Sequence, residues 1–90
     1  KGNYAAAIAD GTEAIRLNAW YLNAYVNRGN AYRLRGEYPQ AIADYTEAIR
    51  LDPKYALAYC GRGVAYERKG ETDKATADIA EAKKLGFSPK

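Results

Sequence analysis

Ninety residues, 48% of them hydrophobic, make one domain with enough apolar material for a continuous core if the chain is laid out as packed layers. Fourteen basic against eleven acidic residues leave a net charge of +3, short of the clustered basic stripe that phosphate contacts demand, so no nucleic-acid partner is expected. The lone cysteine, Cys60, excludes an internal disulfide framework and makes the cytoplasm the default compartment; no stretch approaches the roughly 20 apolar residues that cross a bilayer, so no membrane partner is expected. The start, Lys1-Gly2-Asn3-Tyr4, has no signal-peptide layout, and the chain reads as part of something longer.

Displacing the sequence by 34 residues superimposes it on itself. A first helix is expected over 3–17; Gly2 just before it and Tyr4, Ala7, Ile8, Asp10, Ala14 and Ile15 within it return as Gly36, Tyr38, Ala41, Ile42, Asp44, Ala48 and Ile49. The second, over 22–35, carries Tyr25, Gly29 and Tyr32 at helical spacing and returns as Tyr59, Gly63 and Tyr66. Gly36 falls where that helix must stop, because glycine accepts the left-handed backbone that closes a helix. Pro39 then lies in the first turn of a third helix over 38–51, where its missing N–H costs nothing. Asp52-Pro53 punctuates the exit, and two more helices follow over 56–69 and 72–85. Short turns make neighbouring helices antiparallel. The chain divides into 1–21, the second helix of a truncated repeat; 22–55, a full repeat; and 56–90, a full repeat with a tail.

Nine tyrosines invite a ligand-stacking role, but Tyr4 and Tyr38, Tyr21 and Tyr55, Tyr25 and Tyr59, and Tyr32 and Tyr66 are phase-matched pairs, with Tyr45 at another inward phase. Core packing or hairpin closure is the reading that a repeat requires. Trp20 stands opposite Lys54 in phase, so an exposed anchor at a hairpin junction and burial against a neighbouring helix both remain open. Arg28 and Arg62 each precede an aspartate, Asp44 and Asp78, by 16 residues, and an antiparallel hairpin brings each pair together across its interface. Two intra-repeat salt bridges are expected, with a row of arginines for an acidic ligand as the lesser alternative. Asp10 shares their phase with no arginine upstream.

Cys60 has no histidine anywhere in the chain to act as its base and no second cysteine to pair with. The same absences remove a metal site, and the glycines sit at helix turns, not in a phosphate-cradling loop, so neither catalysis nor a cofactor is expected.

Tyr25-x-x-x-Gly29-x-x-Tyr32, Ala41-x-x-x-Tyr45-x-x-Ala48 and Leu51-Asp52-Pro53, phased at 34 residues, resemble the tetratricopeptide repeat family over nearly the whole chain. Departures are Arg28 and Arg62 at usually aliphatic positions, Thr72 in the phase of Tyr38, and Gly86-Phe87 in the phase of Asp52-Pro53. The resemblance implies an all-α fold, a right-handed superhelical solenoid of antiparallel helix hairpins with five helices. It also implies a concave groove lined by the first helix of each hairpin: Asn23, Val26, Asn27, Asn30 and Arg33 from one repeat, and Leu57, Cys60, Val64, Glu67 and Arg68 from the next. Asparagines there can grip a peptide backbone while Val26, Leu57 and Val64 take an apolar side chain. Family members that clamp acidic chaperone tails place basic residues where this chain has Leu57 and Gly61, which argues against that ligand.

The expected partner is a protein or peptide held in the groove. Single-stranded RNA would need periodic cations, and only Arg33 and Arg68 face it. The ends differ. Ile8, Ile15, Ile42 and Ile49 give way to Thr76 and Lys83 in the last unit, the polar switch of a terminal repeat, with Phe87 expected to fold back over the last helix and the array to end near Lys90. The first helix lacks a preceding partner, so its Ala7, Gly11 and Ala14 side is expected to be open and to support self-association as a homo-oligomer, the alternative function.

Overall fold

A computed structural model describes residues 3–86. Five helices follow in order: α1 (Tyr4–Leu17), α2 (Leu22–Leu34), α3 (Tyr38–Leu51), α4 (Ala56–Lys69) and α5 (Thr72–Lys84). Each expected helix is present, with ends displaced by one residue at most, because the stop and start signals are local. The Asn3 side chain accepts the Ala6 N–H at 3.1 Å to open α1. Gly36 and Gly70 close α2 and α4 at φ 82° and 90°, letting the Glu37 and Glu71 N–H groups reach back to the Tyr32 and Tyr66 carbonyls at 2.9 Å. Between hairpins, Asn18 and Asp52 turn the chain alike, each side chain accepting the N–H two residues on, at 3.0 and 3.1 Å.

The hairpins are α2 on α3 and α4 on α5; α1 packs on α2 and α3 on α4, so the array is an all-α solenoid, and no described helix is long and apolar enough to cross a membrane. Its core is built from small residues around one large one. Ala41, Ala48, Ala58, Ala65 and Ala82 are fully buried, and Tyr45 is the one large side chain buried as completely among the described residues. Alanines at the contacts let backbones approach closely, and the tyrosine fills the space that remains.

Tyr25 and Tyr59 tie their helices to the linkers between hairpins, not to the other helix of their own hairpin: each hydroxyl donates at 3.0 Å to a linker carbonyl, that of Ala19 and of Pro53 respectively. Tyr21 departs from the expected packing: it is 47% exposed, because no described helix covers α1 from the outer side. Trp20 is 71% exposed, with the Arg50 guanidinium 5.6 Å from its ring centroid. Both salt bridges form. Arg28 donates to both Asp44 oxygens at 2.8 Å, and Arg62 to both Asp78 oxygens at 2.8 and 2.9 Å. These bidentate hydrogen bonds push both guanidinium pKa values further up, against the opposing effect of burial. Each arginine also reaches one repeat back, to the Thr12 and Thr46 hydroxyls at 3.0 and 3.1 Å. Thr76 and Lys83 are exposed. The expectation for Phe87 and the chain end lies outside the described residues.

Candidate functional site

α2 and α4 are the first helices of successive hairpins, and their same-side faces bound a hollow of about 250 Å³ lined by Val26, Asn30, Arg33, Leu57, Cys60, Gly61 and Val64. The stripe follows from helical spacing: 26, 30 and 33 on one helix and 57, 60, 61 and 64 on the other. Val26 is 6% exposed and makes the floor, Cys60 and Val64 are half-buried, and Leu57, 52% exposed, stands at the rim.

The polar edge is held from below by Tyr45 of α3. Its hydroxyl donates to Asn30 Oδ1 and accepts from Arg33 Nε at 3.1 Å, while Arg33 Nη2 lies 3.5 Å from Asn30 Oδ1. Asn30 lines the hollow, and with its Oδ1 so engaged the donor that its amide can offer a ligand is Nδ2. Burial pushes the Tyr45 hydroxyl pKa up, the Arg33 hydrogen bond opposing it, so the phenol stays neutral and the network keeps its direction at neutral pH. Burial likewise raises the Cys60 thiol, against the pull of Arg33, so the sulfur is a small apolar neighbour and not a thiolate. Arg33 is the one basic residue of this lining.

Six of the ten expected groove residues meet here. Asn23 and Arg68 are exposed and stand outside the hollow, Asn27 opens to a different one between α1 and α2, and Glu67 to a third against α5. Gly61 and Tyr45 were missed as parts of the site. A Cβ at Gly61 would stand 2.5 Å from Tyr45 Cζ, so the glycine is what admits the ring beneath the groove. Sequence offers a faint signal for this: Tyr45 stands in the phase of Gly11, and Gly61 in that of Asn27, a large-for-small exchange made twice in opposite directions.

The second hollow, about 370 Å³, is lined by Ala7, Asp10, Gly11, Ala14, Tyr21, Ala24 and Asn27. Gly11 is buried, and its close approach is to α2 within the chain, where an added Cβ would lie 2.9 Å from Arg28 Cβ. Ala7 and Ala14 are half-buried and face outward beside Asp10. Among the described residues no group of three His, Cys, Asp or Glu side chains could hold a metal ion.

Antiparallel helix pairs stacked with a concave, mixed lining define a helical-repeat interaction module. The family pattern described as TPR repeat matches residues 29–70, and that described as Tetratricopeptide repeat matches residues 56–85. The chain belongs to the tetratricopeptide repeat family. It is similar to MamA, with 36% identity and a TM-score of 0.86 over 91% of this chain, and it spans 48% of the MamA chain, about half its length. It is similar also to the second TPR of Spaghetti (RPAP3) bound to HSP90 peptide SRMEEVD, at 32% identity and a TM-score of 0.91, covering 93% of this chain and 78% of that one. The Arabidopsis OM64 TPR domain follows at 35% identity and a TM-score of 0.90, covering 92% and 69%. No curated protein sequence matches.

Proposed function

We propose that this module captures an extended peptide segment of a partner protein in the α2–α4 hollow, with no reaction of its own. The observation that supports the reading is the convergence of an apolar floor, an amide whose oxygen is already engaged by Tyr45 and one cation within the same hollow. A ligand that fits presents one medium-sized apolar side chain to Val26, Leu57 and Val64, a backbone carbonyl to Asn30 Nδ2, and one carboxylate to Arg33. The peptide-bound TPR relative supports the mode of capture but not the same ligand. With Arg33 as the one cation here, an acidic heptapeptide such as SRMEEVD meets too little positive charge to be clamped.

Selection from a random peptide display library tests this. Binders are expected to share an apolar residue near an acidic one and to bind ~10-fold or more weakly to Val64→Glu, as expected when a charge is set in an apolar contact. Trp20→Ala, outside the lining of the hollow, should bind them unchanged, and circular dichroism should show both variants folded. Binders indifferent to Val64→Glu would remove the groove from the function.

A further inference from the structure

Arginines in this chain are mostly held by carboxylates: Arg16, Arg28, Arg35, Arg50 and Arg62 each pair with an aspartate or glutamate. Among the described residues Arg33 and Arg68 do not, and of these Arg68 is exposed while Arg33 is half-buried in the lining of the α2–α4 hollow. What holds Arg33 is neutral. Nε–H and one Nη2–H lie on the same side of a guanidinium, and with that side Arg28 and Arg62 grip the two oxygens of Asp44 and Asp78. Arg33 sets the same side on two uncharged oxygens: Nε donates to the Tyr45 hydroxyl at 3.1 Å, and Nη2 lies 3.5 Å from Asn30 Oδ1. Tyr45 joins the two by donating its own hydrogen to Oδ1. An amide nitrogen in place of that oxygen would set hydrogens against the Arg33 hydrogens, so the oxygen is the atom that belongs there. The hydroxyl–amide pair thus stands where a carboxylate stands in the core pairs, and it carries no charge.

The Arg33 charge therefore stays uncompensated beside the hollow, and Nη1 makes no hydrogen bond among the described residues. Asn30 Oδ1 is the one strong side-chain acceptor of the lining, and Tyr45 occupies it, so the polar side chains have only hydrogens left to offer. We propose that Tyr45 is the positioning residue that sets the ligand specificity of the groove: its hydroxyl holds Arg33 without neutralising it and occupies the Asn30 acceptor, so the hollow selects peptides carrying a carboxylate over peptides carrying the matching carboxamide. The inference rests on peptide capture by this hollow. A carboxylate presents acceptors only and meets an unneutralised cation. A carboxamide of the same shape brings an NH2 group for which the polar edge has no acceptor, and that unmet donor lowers its affinity. Tyr45 is fully buried, so it acts through Arg33 and Asn30 and not by touching the ligand.

Octapeptides selected on the parent protein from a random display library are resynthesised in pairs, with the acidic side chain and with its matching amide, Asp against Asn or Glu against Gln, and titrated calorimetrically at low salt. The parent should favour the acid by ~10-fold or more, the size of one charge-assisted contact. In Tyr45→Phe that preference should shrink to ~3-fold or less, with the amide peptides binding within ~2-fold of their affinity for the parent. A hydroxyl serving stability alone would leave the ratio unmoved, whatever it did to the affinities. Asn30→Asp approaches the same contact from the other side: a true carboxylate then neutralises Arg33, and the acid preference should vanish although Tyr45 keeps its hydroxyl. That variant decides the matter should circular dichroism show Tyr45→Phe unfolded. A ratio left unchanged by folded Tyr45→Phe or by Asn30→Asp, or selected peptides without an acidic residue, would overturn the proposal and leave capture by the groove standing. Binders indifferent to Val64→Glu, or none selected at all, would remove the groove and this inference with it.

Discussion

α1 and α3 carry the same residues at matching positions, Ala7 and Ala41, Ile8 and Ile42, Asp10 and Asp44, Ala14 and Ala48, yet they live in different environments. Under α2, Asp44 is 4% exposed and bidentately paired; on α1, Asp10 is exposed to solvent. Identical letters therefore do not carry identical energies. A carboxylate becomes structural only when a neighbouring helix both removes its water and supplies a guanidinium in its place.

The sharpest way to break this comparison is to remove each carboxylate. Asp44→Ala leaves a largely desolvated Arg28 without its acceptor. Because that side chain keeps 20% exposure, the expected loss is about 2 kcal/mol, below that of a fully buried pair. Asp10→Ala should stay within about 0.5 kcal/mol of the parent, as solvated surface positions do. Urea unfolding measures both, and equal losses would mean that the covering helix is not what distinguishes α3 from α1.

A second test uses the exchange between large and small residues. Gly61→Ala drives a methyl against the Tyr45 ring and should cost about 1–3 kcal/mol by overpacking. Combined with Tyr45→Leu it should cost less than the sum of the two single changes, a coupling of more than about 0.5 kcal/mol. At the matching position of the first pair, Asn27→Ala has Gly11 for a neighbour in phase and should be close to neutral. Additivity at Gly61 and Tyr45 in the urea titrations would contradict the packing described.

The smallest effect is electrostatic. Burial holds the Tyr45 phenol pKa above its ordinary 10.0, so the folded chain keeps that proton after the unfolded chain has lost it. The contribution is therefore full below about pH 10 and declines as pH rises toward the raised folded value. Tyr45→Phe lacks this decline, so the stability gap between parent and variant should narrow between pH 8 and pH 10.5 in matched urea titrations. A constant gap would show that the hydroxyl titrates as though exposed.

Helices were legible because signals that act within a few residues bound them: Gly36, Pro39 and Asp52 were read as such, and in the structure Asn3 and Gly70 work on the backbone beside them in the same way. The two Arg–Asp pairs were legible because period and antiparallel turn together determine which side chains meet across a hairpin. The groove was legible in part. Val26, Asn30, Arg33, Leu57, Cys60 and Val64 converge as the resemblance implied, whereas Asn27 and Glu67 turn to other hollows, since a step of one residue rotates a side chain by about 100° around a helix. Tyr45 was expected in the core and is there, but its hydroxyl orienting Asn30 and Arg33 at the groove lay beyond any pattern along one helix.

By itself the sequence determined the period, the five helices, their antiparallel order and the arginine–aspartate pairs, because those depend on spacing and on turn chemistry carried by neighbouring residues. Only the tertiary structure decided which copy of a repeated position is buried. It set the Tyr45 ring between Gly29 and Gly61, bonded its hydroxyl to Asn30 and left Asp10 exposed, because each of these depends on which other helix lies across the residue and how closely the two backbones approach.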